Sequence, residues 1–172
     1  SDGKIVVVGT SLNNTDDFAV VRYNSDGSLD PTFGQSGIVI TELKPNFGND
    51  QAFSAALQDD GKLVVGGTSD AQGFAGFDFA LVRYNPNGSL DTSFDIAADN
   101  SVFAIAEQPD GKILIGGYFT SLNNAATLRH HIARLNANGS VDATFNPDAT
   151  GGNVLALALQ SEQLLAAPML EI

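Results

Sequence analysis

Short apolar runs bounded by polar turns dominate the chain, and none of them sustains a helical period. Three such runs, Ile5 to Val8, Leu63 to Val65 and Ile113 to Ile115, are each introduced by the same tripeptide, at Asp2-Gly3-Lys4, Asp60-Gly61-Lys62 and Asp110-Gly111-Lys112. A second anchor follows each run: Arg22-Tyr23-Asn24, Arg83-Tyr84-Asn85 and Arg134-Leu135-Asn136. A third, Asp-x-Thr/Ser-Phe, closes each unit at Asp30 to Phe33, Asp91 to Phe94 and Asp142 to Phe145. Arg22 to Arg83 is 61 positions and Arg83 to Arg134 is 51, so one scaffold recurs with loops of unequal length.

Each unit reads as four short strands. Strand A is Ala52 to Leu57, Val102 to Ala106 and Val154 to Leu159; strand B is the Lys-led run, ending at Gly66-Gly67 or Gly116-Gly117. Strand C is Phe18 to Tyr23, Phe79 to Tyr84 and His130 to Leu135, and strand D lies at Ser28 to Phe33, Ser89 to Phe94 and Ser140 to Phe145. Asp-Gly turns join A to B. Ser25-Asp26-Gly27, Pro86-Asn87-Gly88 and Ala137-Asn138-Gly139 join C to D, and Gly supplies the positive φ that such turns need. The pattern predicts an all-β chain with almost no helix. Four-stranded meanders in tandem predict β-propeller blades, three per chain. The repeats run approximately 1–58, 59–108 and 109–160, and 161–172 is expected to be a degenerate terminal strand in which Gln163 to Ala167 resembles a worn strand B.

Gln108 to Gly117, Asp78 to Asn85 and Gly88 to Phe94 resemble the delta-60 repeat family of bacterial β-propellers. The resemblance extends to about Gln160. It implies a secreted or cell-surface bacterial context and brings no catalytic residues with it.

Charge narrows the partners. Eight Lys and Arg stand against twenty Asp and Glu, for a net charge of −12, which argues against a nucleic-acid ligand. Cysteine is absent, which removes disulfides, thiol catalysis and Cys-ligated zinc together. No apolar run is long enough to span a bilayer. Neither a Gly-x-Ser-x-Gly elbow nor a phosphate-cradling loop leading into a helix is present.

Two sets of residues invite chemistry. Arg22, Arg83 and Arg134 recur with Asp30, Asp91 and Asp142, and an element present in every blade is expected to be scaffolding, an Arg–carboxylate bridge between strands C and D. Phe33, Phe94 and Phe145 are expected in the core between blades. The A–B and C–D turns are short and alike, whereas the B–C and D–A connections are long and divergent, so binding is expected on the face those connections form. That face carries Asp16, Asp17, Glu42, Asp50, Asp70, Asp78, Asp95, Asp99 and Asp148 against Lys44 and Arg129, and is expected to be acidic.

The only histidines, His130 and His131, open strand C of the third repeat, where the others hold Phe18 and Phe79. Either imidazole, with Asp17 and Asp78 at the start of strand C in the other repeats, makes a candidate ligand set for a divalent ion, calcium or zinc. His130 or His131 would then be the catalytic base acting on a metal-bound water. The competing reading is that His130 packs in place of a Phe.

Three blades cannot close a ring, and two copies give six, so a homodimer is expected to close a six-bladed propeller by strand exchange at the chain ends. The alternative is a fragment of a longer propeller. The expected function is a non-catalytic extracellular or surface module that binds a small molecule, a glycan or a protein. The alternative is a metal-dependent ester or phosphotriester hydrolase at the loop face or central tunnel.

Overall fold

The computed structural model describes residues 2–12, 16–43, 49–69, 78–94, 96, 98–123, 126–147, 149, 151–160 and 163–168. Every regular element among them is a strand, and none of their segments is a helix long and apolar enough to cross a membrane. β1 (Ile5–Leu12), β2 (Asp16–Tyr23) and β3 (Ile38–Thr41) form the first sheet. β4 (Asp50–Leu57), β5 (Leu63–Ser69) and β6 (Asp78–Tyr84) form the second. β7 (Val102–Glu107) and β8 (Ile113–Gly117) belong to the third, which also takes in β11 (Ile132–Leu135) across a small hairpin of β9 (Ser121–Leu122) and β10 (Thr127–Leu128). β12 (Val154–Gln160) pairs antiparallel with β13 (Gln163–Pro168) in the fourth.

Consecutive sheets pack face to face through their inner strands, β4 on β7 and β7 on β12. A middle strand is therefore covered on both sides, which explains its unbroken apolar run. In β5, Leu63 and Val65 join Phe18, Val20 and Phe33 in the core between the first two sheets. Val64, pointing the other way, joins Phe94, Val102, Ile105 and Ile115 in the core between the second and third. All five positions of β8 are buried.

The two members of the glycine pairs Gly66-Gly67 of β5 and Gly116-Gly117 of β8 have separate jobs. A Cβ on Gly66 would meet Ile105 Cδ1 at 2.8 Å, and one on Gly116 would meet Val154 Cγ1 at 2.5 Å, so these positions let the next blade approach. A Cβ on Gly67 or Gly117 would meet a carbonyl of its own inner strand, Gln51 O at 1.9 Å or Ser101 O at 2.1 Å. Those carbonyls lie at β-bulges, which fall between Ala52 and Ser54, Val102 and Ala104, and Val154 and Ala156, at equivalent places in the three inner strands.

The fourth strand of each blade differs from the expectation. The stretch after the C–D turn makes one bridge, at Tyr23–Leu29, Tyr84–Leu90 and Leu135–Val141, and then leaves the ladder. The cause is local: Asp30 Oδ1 accepts from Thr32 N at 3.0 Å and Thr32 Oγ1 at 2.7 Å, and Asp91 and Asp142 hold Ser93 and Thr144 in the same way. In the first sheet the fourth strand is instead β3, inside the segment expected to be a D–A loop; the chain re-enters where Arg22 N donates to Gly37 O. In the second and third sheets no fourth strand forms among the described residues.

Candidate functional site

The recurrent Arg and Asp build a clasp within and between blades. Arg22 Nε donates to Asp30 Oδ2 at 2.7 Å, Arg83 Nε to Asp91 at 2.9 Å and Arg134 Nε to Asp142 at 2.9 Å. Lys4, Lys62 and Lys112 of the Asp-Gly-Lys turns approach the same carboxylates at 2.7, 3.4 and 3.1 Å. Each guanidinium lies over the Phe of its own motif, 4.4 to 4.6 Å from the ring centroids of Phe33, Phe94 and Phe145. Arg22 and Arg83 then reach the next blade, donating to Pro86 O at 2.7 Å and Ala137 O at 2.6 Å. Arg134 has no following turn to reach among the described residues, and its Nη1 meets Gln108 Oε1 at 3.5 Å. Hydrogen bonds from Lys4, Thr32 and Arg22 hold the Asp30 carboxyl well below its ordinary range. Asp91 is lowered by Ser93 first and then Arg83, and Asp142 by Thr144 first and then Lys112 and Arg134. These residues carry the architecture. Phe33 and Phe94 are buried as expected, while Phe145 is only partly so.

The residues expected to bind metal are distributed over three repeats, with Asp17 on β2, Asp78 on β6 and both histidines in the turn before β11. Asp17 is buried on β2, paired in register with Ser11, and Asp78 opens β6 with its side chain outside the described residues. His130 and His131 do not open strand C, which begins at Ile132. They form a γ-turn, with Ile132 N donating to His130 O at 2.8 Å and His131 at φ 63° in its centre. Their ring centroids are 6.5 Å apart, and His131 Nδ1 is buried with no hydrogen-bond partner. Positive φ on a residue with a Cβ is a strained state that the surroundings must enforce. Here Gly117 N to His131 O and His131 N to Phe119 O fix it from both sides. Among the described residues no three His, Asp or Glu side chains come together as a metal site.

Of the carboxylates expected on the long-loop face, Asp70, Asp95 and Asp148, like Lys44, lie outside the described residues. Asp99 is a loop staple: burial works to raise its pKa, but bonds from Thr120 and Ser121 outweigh it and lower it. Asp50 accepts from Leu43 N at 3.0 Å, and Asp16 accepts from Gln51 Nε2 at 3.4 Å.

Where the inner strands begin and the middle strands end, the second, third and fourth sheets line a cleft of 470 Å³ that the sequence reading did not identify. The bulges create it. An extra residue in the inner strand turns a side chain out of the pleat, and the residues so displaced are Phe53, Phe103 and Leu155. Phe53 is 44% exposed, and its ring sits 5.8 Å from that of Phe103 at 40°. Tyr118, 49% exposed, closes the cleft on the β8 side, with the His131 ring 6.2 Å from its own. Gln51, Asn100 and Asn153 bring amides to the lining, and Thr68 and Ser101 bring hydroxyls. A recurrent apolar residue out of phase with the strand alternation was the available signal, and the bulge hid it, because a one-residue slip resets the period.

A second cleft of 530 Å³ lies between Gly34–Ile40 and Asn87–Ser89. Its walls belong to the blade-to-blade clasp, where Gly34 N donates to Asn87 O at 2.8 Å.

Successive antiparallel sheets packed through their inner strands, with a clasp repeated from blade to blade, define a β-propeller. Residues 1–33, 58–94 and 108–145 match the family described as a domain of unknown function (DUF5122) beta-propeller. The match spans more than half of the chain, which belongs to that family. No curated protein matches the chain.

Proposed function

We propose that the chain is a non-catalytic ligand-binding propeller module whose site is the inner-strand cleft. The observation that carries this reading is the cleft itself: three consecutive blades contribute solvent-exposed aromatic rings and amides to one concavity. Its volume lies within the range of roughly 300–1,000 Å³ common to small-ligand sites. The extracellular or surface setting implied by the resemblance to delta-60 repeat proteins accompanies this reading. The hydrolase reading, with His130 or His131, Asp17 and Asp78 around calcium or zinc, gains no observation from the described residues. Closure of a six-bladed ring by a second copy is a further part of the proposal. The β1 edge with its half-exposed Ile5 (53%) and Val7 (49%) favours a covering strand.

Thermal-shift screening of the wild-type chain against a mixed library of saccharides, peptides and small metabolites tests the site. Hits are expected to disappear in Phe103→Ala and Tyr118→Ala variants that keep the wild-type circular dichroism. Hits that persist in both variants, or no hit at all, refute the cleft as the binding site. Light scattering tests closure: twice 17.9 kDa is expected, and a dispersed single-chain mass refutes the dimer.

A further inference from the structure

We infer that the ligand of this cleft is a neutral saccharide, bound with a pyranose face against the Phe53–Phe103 pair and its hydroxyls on the surrounding amides. The inference rests on the cleft being the binding site and goes beyond it by assigning the ligand's chemistry.

Charge makes the first cut. The chain carries −12, yet no charged side chain is among the described residues that line the cleft. The carboxylates nearest the lining are engaged by protein donors: Asp16 accepts from Gln51 of the lining itself, Asp50 from Leu43 N, and Asp99 from Thr120 and Ser121. A cationic ligand finds no counter-charge in the lining, and an anionic one meets an unfavourable field without a single Lys or Arg to offset it.

Shape and polarity make the second cut. Gln51 Nε2 already donates to Asp16 and Asn100 Oδ1 accepts from Ser101 N, but a purely apolar ligand would still desolvate the remaining polar atoms of these amides and of Asn153, at a cost per unpaired group. Asn153 and Tyr118 both line the cleft, and Tyr118 is 49% exposed, so an amide and a phenol face it. An amide offers a donor and an acceptor side by side, which matches vicinal hydroxyls that each donate and accept. The exposed rings of Phe53 and Tyr118 supply flat apolar area for the C–H face of a sugar ring.

Backbone geometry makes the third cut, against an extended peptide. A peptide binds a sheet edge by adding a strand to its ladder. β4 and β7 are edge strands of their sheets, but both ladders are interrupted by a bulge at the cleft. A bulge at an edge blocks regular strand addition. A polyhydroxylated ring is the ligand class that uses aromatic area and neutral amides without needing a ladder.

The same geometry gives His131 a role in positioning. Its strained γ-turn holds the imidazole beside Tyr118, so the backbone conformation fixes the ring that closes the cleft.

The test is a glycan array followed by calorimetry on the full chain. The probes are neutral oligomers of glucose, galactose, mannose and N-acetylglucosamine, oligogalacturonate as an acidic saccharide, and an uncharged Gly/Ser/Tyr peptide. Binding of at least one neutral oligomer is expected, with affinity about tenfold weaker in Phe103→Ala and in Tyr118→Ala, which corresponds to a loss of about 1.4 kcal/mol. Binding of only oligogalacturonate or only the peptide, abolished by those variants, overturns the saccharide assignment and leaves the cleft standing. Binding of a neutral oligomer untouched by both variants overturns the cleft and this assignment together. So does the absence of binding by every probe.

Discussion

Gly67→Ala is the sharpest perturbation of the bulge that builds the cleft. A Cβ at this position would stand 1.9 Å from Gln51 O and 2.9 Å from Ala52 Cα, both backbone atoms that no rotamer change can remove. Restoring an ordinary contact of 3.4 Å requires the bulge carbonyl to retreat by about 1.5 Å, and even the 3.0 Å floor that real Cβ atoms respect requires about 1.1 Å. That movement costs one or two ladder hydrogen bonds at about 0.5–1.5 kcal/mol each, together with overpacking strain of about 1–3 kcal/mol. The sum is roughly 1.5–6 kcal/mol, a fall in Tm of roughly 3–24 °C for a chain of this length. Gly9 occupies the equivalent position in β1, where a Cβ meets nothing within 4 Å, so Gly9→Ala reports whether another strand covers β1. Without a strand over β1, Gly9→Ala is neutral or slightly stabilising, since Ala loses less backbone entropy than Gly. In the proposed closed dimer, Gly9→Ala becomes as costly as Gly67→Ala. The assay is thermal and urea unfolding by circular dichroism, checked for an unchanged m value. A Gly67→Ala chain that melts within 1 °C of wild type refutes the account of the bulge.

The clasp predicts a graded series. Arg83→Ala leaves Asp91 and Ala137 O without their buried donor and is expected to cost about 3 kcal/mol in urea unfolding, while Arg134→Ala, which lacks a next-blade carbonyl, costs about 1–2; equal costs refute the inter-blade part. The same carboxylates predict acid lability. Asp30, Asp91 and Asp142 all have folded pKa values lowered by their partners, so their contribution is complete above the ordinary carboxylate pKa near 4 and fades as pH falls below it, because the unfolded chain takes up protons first. Unfolding free energy independent of pH from about 5 to 2 contradicts this. Burial pushes the Tyr84 phenol up to about 12 against its bond to Thr41, so its contribution is full below 10 and is lost as pH rises from there through 12; spectrophotometric titration should show one tyrosine ionising late. His131→Gly relieves the positive-φ strain and is expected to gain up to about 1 kcal/mol while weakening saccharide binding through loss of the ring beside Tyr118; a variant both less stable and equally tight refutes the positioning role.

The all-β character, the turns and the middle strands were legible because each rests on a local rule. Gly supplies positive φ at Gly27, Gly61, Gly88, Gly111 and Gly139, and the apolar runs are too short and too aperiodic for helices. The Arg–Asp bridge was legible because three copies at one spacing imply one role. The fourth strand was misplaced because Asp30 turns the chain through its own side chain, and no propensity of Ser28 to Phe33 reveals that competition. The histidines were put on a strand because alignment with Phe18 and Phe79 was taken to carry conformation with it. Instead, His131 adopts a γ-turn, and the B–C connection folds into the β9–β10 hairpin.

Scaffold and site separate along the same line in the molecule. At the clasp, each blade repeats its chemistry: Arg, Asp, Lys and Phe meet at nearly the same distances three times. At the cleft, equivalent positions differ. The first residue before the bulge pair is Gln51, Ser101 or Asn153, and the residue after the glycine pair of the middle strand is Thr68 in one blade and Tyr118 in the next. Repetition of geometry there persists, because Gly67 and Gly117 admit the bulge in both blades. Repetition of side chains does not. A propeller that held its ligand symmetrically would repeat both, so this divergence of side chains on an identical backbone device points to one asymmetric site per chain. Calorimetry should therefore return one saccharide per chain; a stoichiometry of two or more would place binding on the repeated elements instead.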